Sequence, residues 1–427
     1  MESLILNSYL TNFCIYGLGS TGKSVINYFK KKKFKNFKVW DDGIKKRGEK
    51  KLFSKYLDLS NYIIVSPGIS LKNAKLKKKL LENRHKIITD LDLFYLMNPH
   101  IKSIVVTGTN GKSTTCKILE HMLKKNKINV KLGGNIGKPI LDLNLKNNPL
   151  VIIEASSYQL AYSKFIKPDY AIIINISIDH LDWHGSFENY INSKLKIFSN
   201  QETEHFALLN SKLLEKKFNK NRYQGKLKFV NINKYKKIQS KIKNNYLNSR
   251  VNTENMSYVY ELSKILKINE KSFIKSLKSF KGLDHRHEIF YKKNNKIFVN
   301  DSKATSFEAS KFALKSNSNI YWIVGGKPKV GDKFLLGDFK KNITKAYIIG
   351  NYTKYFKKFL KNKVNFKISR TLNSAVISIF KDIKNSKKNK ITILLSPASA
   401  SFDQFRNFEH RGNKFKKIVR SYAKRYI

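Results

Sequence analysis

Residues 103–114 read SIVVTGTNGKST. Ser103-Ile104-Val105-Val106 is a short apolar, β-branched run of the kind that fills a buried strand, and a turn and the start of a helical pattern follow it. Within Thr107-Gly108-Thr109-Asn110-Gly111-Lys112-Ser113-Thr114, the segment Gly111-Lys112-Ser113 supplies a flexible turn, a cation for β- and γ-phosphates and a hydroxyl for Mg2+. A full P-loop spacing needs glycine at position 106, where Val106 stands, so the loop is a variant. Strand, loop and helix still fall where phosphate binding requires them. The segment predicts an ATP or GTP site built on Gly108, Thr109, Asn110, Gly111, Lys112, Ser113 and Thr114.

Working outward, Glu154 ends the apolar run Leu150-Val151-Ile152-Ile153, the position from which a carboxylate holds or orients Mg2+ beside a P-loop. The segment Asn175-Ile176-Ser177-Ile178-Asp179-His180-Leu181-Asp182 follows another apolar run and puts His180 at a strand's carboxyl end. A solitary histidine reads as a turn residue. Beside a phosphate loop and Glu154 the ligand reading prevails, because ligands of open α/β sheets gather at those strand ends. Lys194, in the helical stretch 190–198, carries no signal of its own.

Upstream, Phe13-Cys14-Ile15-Tyr16 leads into Gly17-Leu18-Gly19-Ser20-Thr21-Gly22 and a helix, and the next strand ends at Asp41-Asp42. Glycines let backbone N–H groups and a helix N-terminus approach a diphosphate, and an acidic residue at the second strand can accept from ribose or base. Alone, this fingerprint stands for a nucleotide-like diphosphate or for a purely structural tight turn, and it does not establish NAD. Downstream, Asp284-His285-Arg286-His287-Glu288 precedes a strand ending in Asn300-Asp301-Ser302-Lys303-Ala304-Thr305. The apolar run 391–395 enters Ser396-Pro397-Ala398-Ser399-Ala400-Ser401-Phe402-Asp403, then Phe408 and Arg411-Gly412. Hydroxyls and free N–H groups at a helix start suit a carboxylate ligand, although a simple capped turn has the same look.

The 427 residues give an expectation of about three domains at roughly 150 residues each. With 41% hydrophobic and 12% aromatic residues the chain is too apolar for a disordered polycation, despite a net charge of +55. Ten of the 85 cationic residues are arginine, and the lysines run the whole length among many Asn, Ile, Phe and Tyr. That is the bias of an AT-rich coding sequence rather than a dedicated nucleic-acid groove, since base readout favours arginine. Two cysteines, Cys14 and Cys116, lie far apart in a strand and a helix, which offers neither a disulfide framework nor a metal knuckle and fits a reducing cytoplasm. Residues 1–13 lack a basic leader pattern, and no apolar run approaches the ~18 residues of a membrane span. Alternation of short apolar runs with amphipathic stretches predicts an α/β chain with parallel sheets in three blocks: a Rossmann-like N-terminal domain at 1–98, a central P-loop mononucleotide-binding domain at 99–282, and a Rossmann-like C-terminal domain at 283–427.

Taken together, these segments resemble the Mur ligase family, the ATP-dependent amide ligases of peptidoglycan precursor synthesis, over essentially the whole length. The loop 107–114 and Gly133-Gly134-Asn135-Ile136-Gly137 are shared widely in that family. Residues 300–305 (NDSKAT) and 396–412 (SPASASFDQFRNFEHRG) mark the branch that joins D-glutamate to UDP-N-acetylmuramoyl-L-alanine. The resemblance implies that the first domain binds the UDP of that substrate through Gly17, Gly19, Ser20, Thr21, Asp41, Ser66, Pro67 and Gly68. It implies Lys112 on the phosphates, Ser113, Glu154 and His180 at Mg2+ sites, two ions with Mn2+ as a substitute, and Asn135 and His180 at the reacting end of the nucleotide sugar. Lys194 matches a lysine that is carbamylated in the family, its carbamate being an extra metal ligand. Arg286 and Asp301 match residues that hold the base and ribose of ATP. Lys303, Thr305, Lys329, Ser401, Phe402 and Phe408 match the D-glutamate pocket, with Lys327 two residues before Lys329. Phe402 stands where an aliphatic residue is commoner, an expectation of a reshaped pocket. A cytoplasmic monomer with no nucleic-acid or membrane partner is further implied. Two rivals share parts of this pattern: a folylpolyglutamate synthase, which should lack the first glycine-loop domain, and a basic nucleic-acid-stimulated NTPase, motivated by the charge but lacking paired aromatic platforms.

Overall fold

A computed structural model describes residues 11–43, 47–244, 246–329, 332, 334–384, 386 and 390–426. Residues 1–10, most of the segment whose pattern is read as lacking a basic leader, lie outside them. Three sheets follow one another along the chain. The first contains β1 (Phe13–Tyr16), β2 (Phe37–Trp40), β3 (Tyr62–Val65) and β4 (Ile87–Ile88) in the order β2-β1-β3-β4. The second contains β5 (Ser103–Thr107), β6 (Val130–Gly134), β7 (Leu150–Glu154), β8 (Tyr170–Ile173), β9 (Phe206–Leu209) and β10 (Lys226–Phe229) in the order β10-β9-β8-β5-β7-β6. Both are parallel throughout. The third contains β11 (Glu288–Lys293), β12 (Lys296–Asn300), β13 (Ile320–Gly325), β14 (Ile343–Ile349), β15 (Phe366–Arg370) and β16 (Ile391–Leu395) in the order β11-β12-β16-β13-β14-β15. Only β11 in it is antiparallel, paired with β12.

Strands covered by helices on both faces read as continuous apolar runs, and β5, β13 and β16 are buried at every position. Alternation shows instead in where each side chain goes. In the third sheet Tyr321 and Ile323 pack with the helix Leu372–Lys384, while Ile320, Trp322 and Val324 pack with Phe334 and Phe356 on the other face. The edge strand β10 is lysine-rich and mostly exposed, a composition that discourages pairing with another chain.

The chain forms two compact units, Met1–Phe280 and Lys281–Ile427. Within the first, one apolar core joins the first two sheets: Phe13, Ile15 and Val25 share a cluster with Val105, Ile153 and Leu160. The helix Asp90–Met97 bridges them, with Asp92 accepting from the backbone N–H groups of Lys164 (2.8 Å) and Phe165 (2.7 Å). In the central sheet β5 runs between β7 and β8, so the loops at its carboxyl end face a crevice of the type in which parallel sheets hold ligands.

Candidate active site

The variant phosphate loop leaves β5 and enters the helix Lys112–Lys125. Gly111 has a φ of 85°, and a Cβ there would stand 2.1 Å from Asn255 Oδ1, so both conformation and space demand glycine. Gly111 also caps the helix with no side-chain hydrogen bond, and the positive end of the helix dipole points into the loop. Asn175 holds the loop from the next strand. Its side-chain oxygen accepts from Asn110 N (2.9 Å), its carbonyl accepts from Thr109 N (2.9 Å), and its amide donates to Glu254 (2.8 Å). Lys112 folds back on the loop and donates to the carbonyls of Gly108 (2.9 Å) and Thr109 (3.0 Å).

Parallel pairing sets Glu154 opposite Val106 on one side and Gly134 on the other. Asn135, just past β6, donates its amide to Glu154 Oε1 (2.9 Å) and its backbone N–H to the Glu154 carbonyl (2.8 Å). Glu154 is buried, and its Oε2 has no hydrogen-bond partner among the described residues. A buried carboxylate oxygen without a donor is costly, and the cost disappears when a cation coordinates it. The residues therefore fit Mg2+, which prefers oxygen ligands, with the buried hydroxyl-bearing Ser113 in the first turn of the helix as a further oxygen.

Lys194 is 1% exposed, which no count of lysines reveals. Its Nζ donates to the Gly108 carbonyl (2.9 Å) and Thr107 Oγ1 (3.3 Å) and lies 4.7 Å from the Tyr190 ring centre. Burial pushes its amine well below the usual lysine range, Lys112 adds to the effect, and Asp179 works against it. His180 takes a left-handed backbone (φ 53°) as the cap of the short helix Leu181–His184. Its Nδ1 is 2.7 Å from the Tyr158 hydroxyl, and its Nε2 is 3.4 Å from Asp179. Tyr190 lies 6.3 Å from the His180 ring and 3.0 Å from Thr109 Oγ1. Lys112, Ser113, Asn135, Glu154, His180 and Lys194 thus come to one edge of the central sheet. Sequence reasoning missed Tyr158, Asn175, Tyr190, Glu254 and Asn255. Only Asn175, inside a segment already singled out, gave a signal.

The loops after β1, β2 and β3 also converge. Gly17 (φ 105°) donates its N–H to the Trp40 carbonyl (2.7 Å), and the Ser66 hydroxyl donates to the Gly17 carbonyl (3.1 Å). A Cβ on Gly22 would meet that carbonyl at 1.9 Å, so the third glycine serves close packing of helix on strand. Asp41 accepts from Leu18 N and Gly43 N, each at 2.8 Å, which shapes the glycine loop. Asp42 accepts from Tyr16 (2.6 Å) and Trp40 (3.0 Å). Gly19, Ser20 and Gly68 are exposed, and Thr21, Ser66 and Pro67 are half-buried beside them.

In the second unit, Asp301 follows β12 and is buried, its carboxylate accepting from Ser396 Oγ (2.7 Å) and His287 N (3.0 Å). Burial holds this acid up at about 7, against the lowering effect of those two hydrogen bonds and of Arg286 and Arg411. Arg411 is buried and donates to Ser302 Oγ (3.0 Å), the Ser302 carbonyl (2.8 Å) and the Ser399 carbonyl (3.0 Å). It ties the NDSKAT loop to the serine loop. Lys303 Nζ lies 5.3 Å from the Phe408 ring, and the Ser302 hydroxyl donates to the Phe408 carbonyl (2.8 Å). Lys303, Ser401 and Phe408 therefore belong to one loop cluster. Thr305, Lys329 and Phe402 are exposed, Phe402 at 71%, and Arg286 is half-buried. The turn at Gly326 is pinned to the serine loop through Lys327, whose backbone exchanges two 2.9 Å hydrogen bonds with Ala400.

The model of the Mur ligase MurD-like N-terminal domain matches residues 11–88, and that of the Mur ligase middle domain matches residues 106–276. Proteins named UDP-N-acetylmuramoylalanine--D-glutamate ligase are similar over nearly the whole of both chains. That of Wolbachia sp. subsp. Brugia malayi is 35% identical over 94% of this chain and 94% of its own, and that of Aquifex aeolicus is 34% identical over 95% and 98%. Among solved structures, UDP-N-acetylmuramate-alanine ligase from Thermotoga maritima superposes with a TM-score of 0.58 at 18% identity, covering 96% of this chain and 99% of its own. MurF ligase of the same organism, in complex with ADP, gives 0.55 at 16%, covering 89% and 94%. At such identities the structures speak for the fold alone. The sequence relatives decide the lineage, and by them this chain belongs to the Mur ligase family.

Proposed function

We propose that the protein is an ATP-dependent ligase that adds D-glutamate to UDP-N-acetylmuramoyl-L-alanine in the cytoplasmic assembly of peptidoglycan precursors, releasing ADP and phosphate. The observation that carries the chemistry is Glu154, a buried carboxylate beside a phosphate loop with one oxygen left over. The names of the relatives supply the substrates.

A carboxylate resists attack by an amine, so the alanyl carboxylate must first be activated. Transfer of the ATP γ-phosphoryl group to it gives an acyl phosphate. The unprotonated amine of D-glutamate then attacks the acyl carbon, a tetrahedral oxyanion forms, and phosphate leaves as the amide closes. Glu154 and Ser113 would hold Mg2+, which would supply positive charge to the transferring group. In this reading Lys112 turns from its two loop carbonyls to the β- and γ-phosphates. Asn135 and His180 orient the alanyl end, and Gly17, Gly19, Ser20, Thr21, Asp41 and Ser66-Pro67-Gly68 receive UDP. Arg286 and Asp301 serve the nucleoside of ATP. Lys303, Thr305, Lys329, Ser401, Phe402 and Phe408 receive D-glutamate. Lys194 acts as a carbamate: its unprotonated amine attacks CO2, an N–C bond forms as one C–O π bond opens, a proton leaves to solvent, and the new anion would be a ligand for a second Mg2+. The functional regions are 1–98, 99–282 and 283–427, in a monomer.

Phosphate release with ATP and UDP-N-acetylmuramoyl-L-alanine tests the proposal when D-glutamate, L-glutamate, L-lysine and D-alanine are offered in turn. Release should require D-glutamate. ADP formation that ignores the amino acid, or that DNA stimulates at physiological salt, overturns it.

A further inference from the structure

The Tyr158 side chain, half-buried on the helix Ser157–Tyr162 that starts three residues past the end of β7, is packed against three rings. Its ring lies parallel to His184 (4°, centroids 5.8 Å apart), 5.0 Å from Trp183 and 4.8 Å from His180. His184 is itself buried and held through Nε2 by Ser157 Oγ at 3.0 Å. Trp183 packs in turn on Tyr162 (5.4 Å), whose hydroxyl accepts from Leu71 N (3.1 Å) and donates to the Ile69 carbonyl (3.3 Å). The phenol thus has a fixed place, and its oxygen ends 2.7 Å from His180 Nδ1.

His180 needs such a partner. Its backbone is left-handed, outside the regular strand and helix regions, and is held by its N–H on Asp179 Oδ1 (3.0 Å). A terminal imidazole torsion is broad and roughly two-fold, so backbone placement alone does not decide which ring nitrogen faces the site. A hydrogen bond at one nitrogen does decide it, and sets what the other can do.

We propose that Tyr158 is a positioning residue for His180: its hydroxyl donates to Nδ1, which fixes the ring orientation and leaves the ring proton on Nε2, facing the Asp179 carboxylate 3.4 Å away. The role of His180 in ligation rests on the function proposed above, whereas the geometry does not.

Tyr158→Phe removes the oxygen and keeps the clamped ring. Side-chain 15N spectra of the protein without nucleotide or metal are the first measurement, with the His180 signals identified by their loss in His180→Asn; nine histidines make this tractable. The native protein should show one dominant His180 tautomer and Tyr158→Phe a shift toward a mixture, with an unchanged unfolding temperature. The second measurement is turnover, where kcat should fall about tenfold, within the range seen when the partner of a functional histidine is removed, and KM for ATP should stay put. Unaltered His180 shifts overturn the proposal, as does an altered spectrum with native kcat. The spectra need no substrate, so they decide the positioning even if D-glutamate-dependent turnover is absent and the functional proposal fails.

Discussion

Lys194 shows how far a single residue can be from its sequence signal. One lysine among so many carries no information, and the fold makes it unusual by burying its amine against Thr107, Gly108 and Tyr190. An ammonium in that place is disfavoured by desolvation and by Lys112, so the group is readily neutral, and a neutral amine is the form that reacts with CO2. Lys194→Ala should fold and lose about 100-fold in kcat, the upper range for loss of a metal-supporting group, and acetate or formate should partly restore it by lending a carboxylate to the gap. Absence of rescue at native stability sinks the carbamate. Glu154 and the glycines of both loops were legible because their chemistry depends on position along one strand–loop–helix unit. Tyr158, Tyr190 and Asn255 were not, since each acts across the sheet on a residue far away in sequence.

At the scale of elements, apolar runs identified the strands that are buried on both faces, because such strands need no alternation to be seen. The missed strands are edges or short pieces. β10, Lys226-Leu227-Lys228-Phe229, is short and half lysine, and β11 turns into β12 through Asn294 and Asn295, both with positive φ (44° and 57°). Such a two-residue turn favours asparagine, so this hairpin had a sequence signal that the lysine background hid. The helix Asp90–Met97 carries a cost that sequence could not show. Asp90 opens it, and burial holds its carboxyl up at about 6, with the Gln159 amide opposing and Asp92 adding to the rise. A helix N-terminus favours an anion by only about 0.3–1 kcal/mol, so burial wins. An acid raised in the folded state is charged reluctantly there: the penalty is absent below the unfolded value of 3.8, grows toward pH 6 and is complete above it. Asp90→Asn should therefore stabilise the chain at pH 7.5, on the order of 1–3 kcal/mol, with the gain gone by about pH 4. Urea melts at the two pH values check this, and a less stable variant at pH 7.5 means that the carboxylate is an asset.

At the scale of the whole molecule, the three sheets and their order followed from sequence, because each βα unit is local and parallel sheets demand such units. The packing of the first two sheets over one core did not, since the apolar side chains that share it, such as Phe13 and Ile153, come from strands far apart in sequence. The net charge of +55 is a property of the molecule rather than of any motif, and its physical effect is on encounter. UDP-N-acetylmuramoyl-L-alanine, ATP and D-glutamate are all anions, and a positive field raises their arrival rate without touching the chemical step. Screening sets the test: the field reaches roughly 30 Å at 0.01 M salt and about 8 Å at 0.15 M. The ratio kcat/KM for the UDP substrate should fall about tenfold between those conditions, while kcat holds. D-glutamate, smaller and less charged, should show a weaker slope. A flat kcat/KM would reduce the lysines to solvated surface, and a fall in kcat itself would place the salt effect in the site, at Lys112 and the carboxylate of Glu154, instead of in the approach to it.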